Sequence, residues 1–430
     1  MPLDTHECNC PSLYGFRRRS CHELSGVCKI ILRFPQSSPA AAGRRQRWVG
    51  SRRASPRPVR SYAGRMPSKI TRRILTQAGS PELDSVLSEG MGGSQLQSLL
   101  LEVYARRVSK LRESDVVFRT VRSPLLAPSS VDARAMNRFD QIAFAAAPDF
   151  EAIDLSPVCA LGASSVLGRI HQNNVLTTIR NAEVLGDSTP VLALEATRRR
   201  RENRGAEPVR LSASHRVVRL QPFDFPGFTP HFRLFALVSA GRDTGSRSFE
   251  VRELEIHIRF YLHLFRGLNA AGFRLADPLV EISDLSVTEA LLNAAGVSRE
   301  DVRSSVRAHL PGGSQRFLEE RGVELPSNLV EPPAQQPHLV AFKERVFDIL
   351  AAEFPEAQFR FNFARLEGLG YYEGLCLRIS PAATDGVRYP AADGGFTDWT
   401  ARLLQDRKER CFISGIGSEF VCRRFPAGAA

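Results

Sequence analysis

No uninterrupted apolar run in these 430 residues approaches the roughly 18 that a bilayer-crossing helix needs, so the sequence offers no transmembrane helix. Net charge is also nearly missing from most of the chain. Of the formal +12, residues 1–65 supply most, with 13 Lys and Arg against Asp4, Glu7 and Glu23. Beyond them stand 45 of the 58 basic and 43 of the 46 acidic residues, a net of +2. A nearly neutral body carries no polyanion signature, so nucleic-acid binding would have to work through the basic tail. That tail has few aromatic rings on which bases could stack: Tyr14, Phe16, Phe34, Trp48 and Tyr62. A cysteine framework is lacking too. Cys159, Cys376, Cys411 and Cys422 are scattered, and the spacing of Cys8, Cys10, Cys21 and Cys28 beside His6 and His22 is not a usual zinc pattern. A reducing cytoplasm is the compartment this implies. No internal repeat is visible.

The chain is long enough for a sizeable core and divides by composition. Residues 1–80 mix Arg clusters (Arg17–Arg19, Arg44, Arg45, Arg47, Arg52, Arg53) with Pro, Ser, Ala and Gly and lack periodicity, so we expect a disordered basic tail. Translation beginning at Met66 would make that tail an artefact. Residues 81–285 and 335–430 are expected to form one domain, with 286–334 a small helical insertion. Gln95–Leu111 has a helical apolar period, and the β-branched Val116–Val121 reads as a strand stopped before Pro124. Residues 127–150 read as a loop with a short apolar segment, and Pro190–Arg201 as a buried strand running into a helix. Pro208–Leu220 and His231–Ala240 read as a long hairpin, followed by an amphipathic helix over Phe249–Leu268 and a strand at Leu279–Ile282. Leu339–Glu353 is a helix, and Leu369–Ile379 a strand. The order predicts an α+β fold on an antiparallel sheet flanked by helices.

Arg365 to Phe420 is the stretch richest in candidate site features. Tyr371-Tyr372 lies among glycines, and Gly394-Gly395 lets backbone come close to a neighbour where a side chain would clash. A glycine-lined sheet face with tyrosines suits a small polar ligand with a flat ring.

Six short elements in order carry a resemblance. Gln95–Leu111 with the segment into Pro124 looks like class II motif 1. Leu192-Ala-Leu-Glu195-Ala-Thr197 is similar to an L-R-P-E-G-T element, and Ser214–Gln221 with His231–Phe235 looks like motif 2. Glu367-Gly-Leu-Gly-Tyr371-Tyr372 resembles R-G-L-D-Y-Y, and Gly394-Gly-Phe-Thr-Asp398 resembles G-G-R-Y-D. Gly415-Ile-Gly-Ser-Glu419-Phe420 resembles motif 3. Over residues 95–422 the chain therefore resembles the catalytic domain of class II aminoacyl-tRNA synthetases of the histidyl type, and the synthetase-like regulatory subunit of ATP phosphoribosyltransferase.

The resemblance implies that Glu195 and Thr197 accept a ligand's amino group, that Tyr371 and Tyr372 close over its side chain, and that Gly394 and Gly395 line the pocket. It also implies that Arg219 grips an α-phosphate, that Glu419 shares in the chemistry and in holding Mg²⁺, and that Phe420 stacks on the adenine of ATP. Three cations of the pattern are replaced, by Glu367, Phe396 and Phe420. A triphosphate site short of two or three cations loses several kcal/mol of transition-state stabilisation. Only ten residues follow Phe420, so no anticodon-reading domain is expected there and tRNA is a doubtful partner. The leading reading is a binding or regulatory module for an amino acid or related metabolite, able to serve a catalytic partner subunit. The rival is an ATP-dependent ligase that activates an amino acid for tRNA or another carrier. The motif 1 resemblance further implies a homodimer.

Overall fold

The computed structural model describes residues 68–203, 205, 207–220, 229–305 and 313–427. Most of the expected tail, residues 1–67, lies outside them. Within its last part, Lys69–Gln77 is a helix, capped by Ser68 Oγ accepting from the Thr71 N–H at 3.1 Å.

Ten strands are present among the described residues: β1 (Glu151–Ala152), β2 (Val158–Ala160), β3 (Ala182–Val184), β4 (Val209–Val218), β5 (His231–Arg242), β6 (Ala276–Asp284), β7 (Gln358–Phe361), β8 (Leu375–Ala382), β9 (Ala392–Thr397) and β10 (Glu409–Ile416). Eight form one sheet in the order β1-β4-β5-β10-β9-β8-β6-β7, antiparallel except at its two parallel edges, β1 with β4 and β6 with β7. The β4–β5 hairpin falls where alternation placed it, and Val209 pairs with Ala240 at one end and Val218 with His231 at the other. β2 and β3 pair separately.

The two faces of the sheet bury different cores. On one, Phe235, Leu237, Phe412, Ile416, Leu377 and Ile379 pack under the long Ser248–Ala270 helix. On the other, Leu211, Ala213, Ala236, Val238, Ile413 and Cys376 pack under the Ser188–Glu202 helix, Trp399 and the insertion. Strand periodicity of two separates the sets, since Ile413 and Phe412 must face opposite ways. Under the first face His257 is fully buried between Ser239 Oγ at 2.9 Å and Ser414 Oγ at 2.8 Å, and the Tyr261 hydroxyl also donates to Ser414.

Several local expectations are corrected. Val116–Val121 is no strand but lies in the Glu113–Arg122 helix, where the Asp115 carboxylate accepts from the Arg112 N–H at 2.9 Å and caps the first turn. Valine costs a helix only about half a kcal/mol per residue, which a capped turn outweighs. Pro190 sits in the first turn of Ser188–Glu202, where its missing N–H costs nothing, so the expected strand there is helical from the start. Residues 133–145 form a helix capped by Asp132, and β8 begins only at Leu375 because Gly368, Gly370 and Gly374 turn the chain with positive φ. The described helices in and beside residues 286–334, the stretch expected as an insertion, are Leu285–Ala294, Arg299–Ser304 and Gly313–Glu319. None of the described helices is long and apolar enough to cross a membrane.

Candidate functional site

Tyr372 is the centre of the site because two glycines leave room for its ring. A Cβ on Gly395 would stand 2.5 Å from its Cδ1 and Cγ, and one on Gly368 2.7 Å from its Cδ2. Gly368 also has φ +91°, a conformation side chains resist. Gly394 is small for a different neighbour: its Cβ would meet Ser414 Cβ at 2.5 Å. Both glycines of the pair therefore serve protein packing.

The Tyr372 hydroxyl donates to Asp393 Oδ2 at 3.0 Å. Oδ1 of the same carboxylate binds the Arg365 guanidinium, whose side chain is 1% exposed while that of Asp393 is 49% exposed. Arg365 further donates to the carbonyls of Glu367 at 3.2 Å and Leu377 at 3.0 Å. Burial works against its charge, yet Asp393 prevails and holds its pKa above the ordinary arginine value. Burial pushes the Tyr372 phenol well up, and the Asp393 charge adds to this, so it stays a neutral donor.

Half-buried Tyr371 faces the N-terminus of the Ser188–Glu202 helix. Asp187 caps that helix, its Oδ1 accepting from the Thr189 N–H at 2.9 Å and the Thr189 hydroxyl at 3.0 Å. Burial raises the Tyr371 pKa, the Asp187 charge adds to the rise, and Thr189 and Arg219 oppose it. Ser188 Oγ beside them is buried without a hydrogen-bond partner. Arg219 closes this corner, donating to the Gly186 carbonyl at 2.8 Å and to Asp187 Oδ2 at 3.0 Å.

Glu195 and Thr197 lie in the middle of the same helix. Both oxygens of Glu195 are taken, Oε1 by Arg198 at 2.7 Å and Arg199 at 2.8 Å, Oε2 by Arg198 at 2.9 Å. These hydrogen bonds, Arg198's first, hold its pKa down to about 2 against the effect of burial. The Thr197 hydroxyl donates back to the Ala193 carbonyl at 2.7 Å. Neither is brought to the tyrosine pair by its hydrogen bonds. Asp187 and Thr189 are, eight residues earlier. Their signal was legible as Asp-Ser-Thr-Pro before an apolar helix, an N-cap pattern. Asp393 and Arg365 had no such signal.

Glu419 and Phe420 have their partners on the other face of the sheet. Buried Glu419 accepts from Ser129 Oγ at 2.6 Å, from the Arg233 N–H at 3.1 Å and from Arg216 at 2.9 Å. Arg233 in turn pairs with Asp140 at 2.9 Å, a carboxyl that burial pushes up despite Ser214 and Arg233. Phe420 packs edge-on against Tyr389 and Phe425, ring centres 6.3 Å apart. The structure thus joins Tyr371, Tyr372 and Arg219 with Asp187, Thr189 and Asp393, and sets Glu419 and Phe420 apart from them.

No protein-family model matches the sequence, and neither does any curated protein. Solved structures do match. Histidyl-tRNA synthetase from Nostoc sp. PCC 7120 superposes with a TM-score of 0.53 at 16% identity, over 71% of this chain and 75% of that one. An ATP phosphoribosyltransferase regulatory subunit/histidyl-tRNA synthetase from Bacillus halodurans gives 0.49 at 14% identity, over 70% and 83%. An ATP phosphoribosyl transferase complex from Thermotoga maritima gives 0.40 at 13%, over 67% and 98%. The chain has a class II synthetase-like fold.

The residues present do not fit the ATP that such a fold suggests. Arg219 and Arg365 are already matched by Asp187 and Asp393, and Glu367 brings a carboxylate where the resemblance called for a cation. Phe420 is committed to an aromatic cluster with Tyr389 and Phe425.

Proposed function

We propose that this chain binds an amino acid or a related amino-bearing metabolite and does not activate it, acting as a binding or regulatory module in the cytoplasm. The internal neutralisation of Arg219 by Asp187 and of Arg365 by Asp393 carries this reading. A triphosphate would have to displace a protein carboxylate from each arginine, uncovering two negative groups beside its own. An ammonium group meets the reverse situation. Asp393 presents an exposed carboxylate edge beside Tyr372, and Asp187 with Thr189 offers oxygens beside Tyr371. Asp187 and Thr189 take the acceptor role in place of Glu195 and Thr197. Tyr371 and Tyr372 supply the ring face against which a side chain packs.

On this reading the chain works as a homodimer and can serve a catalytic partner as its subunit. The Gly93–Val108 and Glu113–Arg122 helices bury no residue, and Tyr104, Val108, Val117, Phe118 and Val121 are exposed, a face suited to a second copy.

Calorimetry of the full chain against the standard amino acids tests the proposal, alongside amino-acid-dependent pyrophosphate exchange. Saturable binding lost in Asp187→Asn, with no exchange above background, supports it. Exchange above background would establish the ligase reading instead, and absence of any binding would reject both.

A further inference from the structure

Beneath the insertion lies a cavity of about 720 Å³, walled by the Gly313–Glu319 helix, residues 322–327, the 362–367 loop and Arg378 of β8. It shares Arg365 and Glu367 with the site above, but the Arg365 side chain is committed to Asp393 and two carbonyls, and Glu367 gives that cluster only its backbone carbonyl. The remaining charges are uneven, with Glu319, Glu324 and Glu367 against Arg378.

Their arrangement is specific. Glu367 is fixed in place, its Oε2 accepting from Ser314 Oγ at 2.7 Å, while the same Ser314 oxygen accepts from the Leu366 N–H at 3.0 Å. Arg378 stands 3.4 Å from that carboxylate, longer than a good charged hydrogen bond. Its side chain is 22% and that of Glu367 19% exposed, so both face the cavity with bonding capacity left. An anchored carboxylate beside a loosely held guanidinium is complementary to a zwitterion: a carboxylate on Arg378, an ammonium on Glu367. Leu318, Val323 and Leu325 add apolar wall, and Glu319 and Glu324 are exposed carboxylates at the rim. We propose that this cavity binds a free basic α-amino acid, its head group on Arg378 and Glu367, its methylenes on the leucine-valine wall, and its terminal cation at the acidic rim. This goes beyond the function proposed above, because the ligand meets other side chains, Arg378, Glu367, Glu319 and Glu324.

The test is calorimetry of the full chain with L-arginine and L-lysine, agmatine (no carboxylate) and L-norleucine (no distal cation). Either basic amino acid should bind, and each analogue lacking one charge should bind at least about tenfold more weakly, the worth of one charged hydrogen bond. Arg378→Gln should weaken L-arginine at least about tenfold and leave agmatine unchanged, whereas Glu319→Gln with Glu324→Gln should bring L-arginine to the level of L-norleucine. Both are substitutions of partly or fully exposed side chains, and a circular dichroism spectrum confirms that each variant is folded. Asp187→Asn should leave L-arginine binding intact. Loss in Asp187→Asn with none in Arg378→Gln would overturn the proposal while placing the ligand at the tyrosine pair. Absence of binding, or agmatine equal to L-arginine, would also overturn it.

Discussion

Tyr372 and Arg365 meet on the two oxygens of one carboxylate, that of Asp393, although the arginine is buried and the carboxylate half exposed. The hydroxyl, the guanidinium and the carboxylate form one unit on the face of the sheet that carries the candidate site.

Asp393→Asn leaves a buried guanidinium with only carbonyl partners. Stranding a buried charge costs about 3–5 kcal/mol, and water reaching Asp393 puts this case near or below the lower figure. Urea denaturation should show a loss of about 2 kcal/mol. Arg365→Met combined with Asp393→Leu should recover most of it, and a double variant no more stable than Asp393→Asn would refute the account.

Gly395→Ala forces a methyl to within 2.5 Å of the Tyr372 ring. The ring must move, at a cost of about 1–3 kcal/mol, and amino-acid binding should weaken with it. Gly374→Ala meets nothing within 4 Å and has only its φ of +71° to resist. It should cost about 1 kcal/mol and spare binding. Equal binding losses in the two would dissociate Tyr372 from the site.

Glu195→Ala and Asp187→Asn should part company. The first removes an ion pair within one helix, worth under about 1 kcal/mol, and calorimetry should find amino-acid binding unchanged. The second should abolish binding. Because the Glu195 pKa is lowered to about 2, its contribution to stability is present above the ordinary glutamate range and fades as pH falls towards 2. Glu195→Ala should therefore show a shallower stability loss across that acid window.

His257 supplies a second pH dependence. Burial holds its pKa well below the ordinary value of about 6.5, with Arg210 adding to the effect, so the fold keeps it neutral. An unfolded chain binds the proton more readily, so stability is full above about pH 6.5 and declines below it. Denaturation midpoints at pH 7.5 and 5.5 should diverge less in His257→Leu than in the native chain. The same slope in both would assign the effect elsewhere, His215 being the other buried-side candidate.

Light scattering at micromolar concentration should give twice the chain mass, and Val117→Asp with Phe118→Asp should give the monomer. Both side chains are more than half exposed, so folding should survive the change. A native chain whose mass stays monomeric at all concentrations would end the dimer reading.

The fold was legible in the sequence wherever one period dominated. Alternation from Val209 to Val218 and from His231 onward marks a hairpin, and the three-to-four spacing through Phe249–Leu268 marks a helix. Composition misled at Val116–Val121, where branched side chains spoke for a strand and a single capping aspartate decided otherwise. The tyrosine pair was legible because it is local. Its partners were less so: the capping pattern marks Asp187 and Thr189 as a helix start but not as neighbours of Tyr371, 184 positions on, and nothing local joins Asp393 to Arg365, 28 positions before it. Resemblance set the acceptors on Glu195 and Thr197, whose polar atoms the helix itself consumes.

The unequal burial of Arg365 and Asp393 gives their joint history a direction. A lineage that loses the aspartate first strands a cation away from water, and it is selected against before the arginine can follow. One that loses the arginine first leaves a carboxylate that water already reaches, and it survives to change again. Sequences of close relatives should then include chains with an uncharged residue at 365 and aspartate still at 393, while the opposite combination is rare.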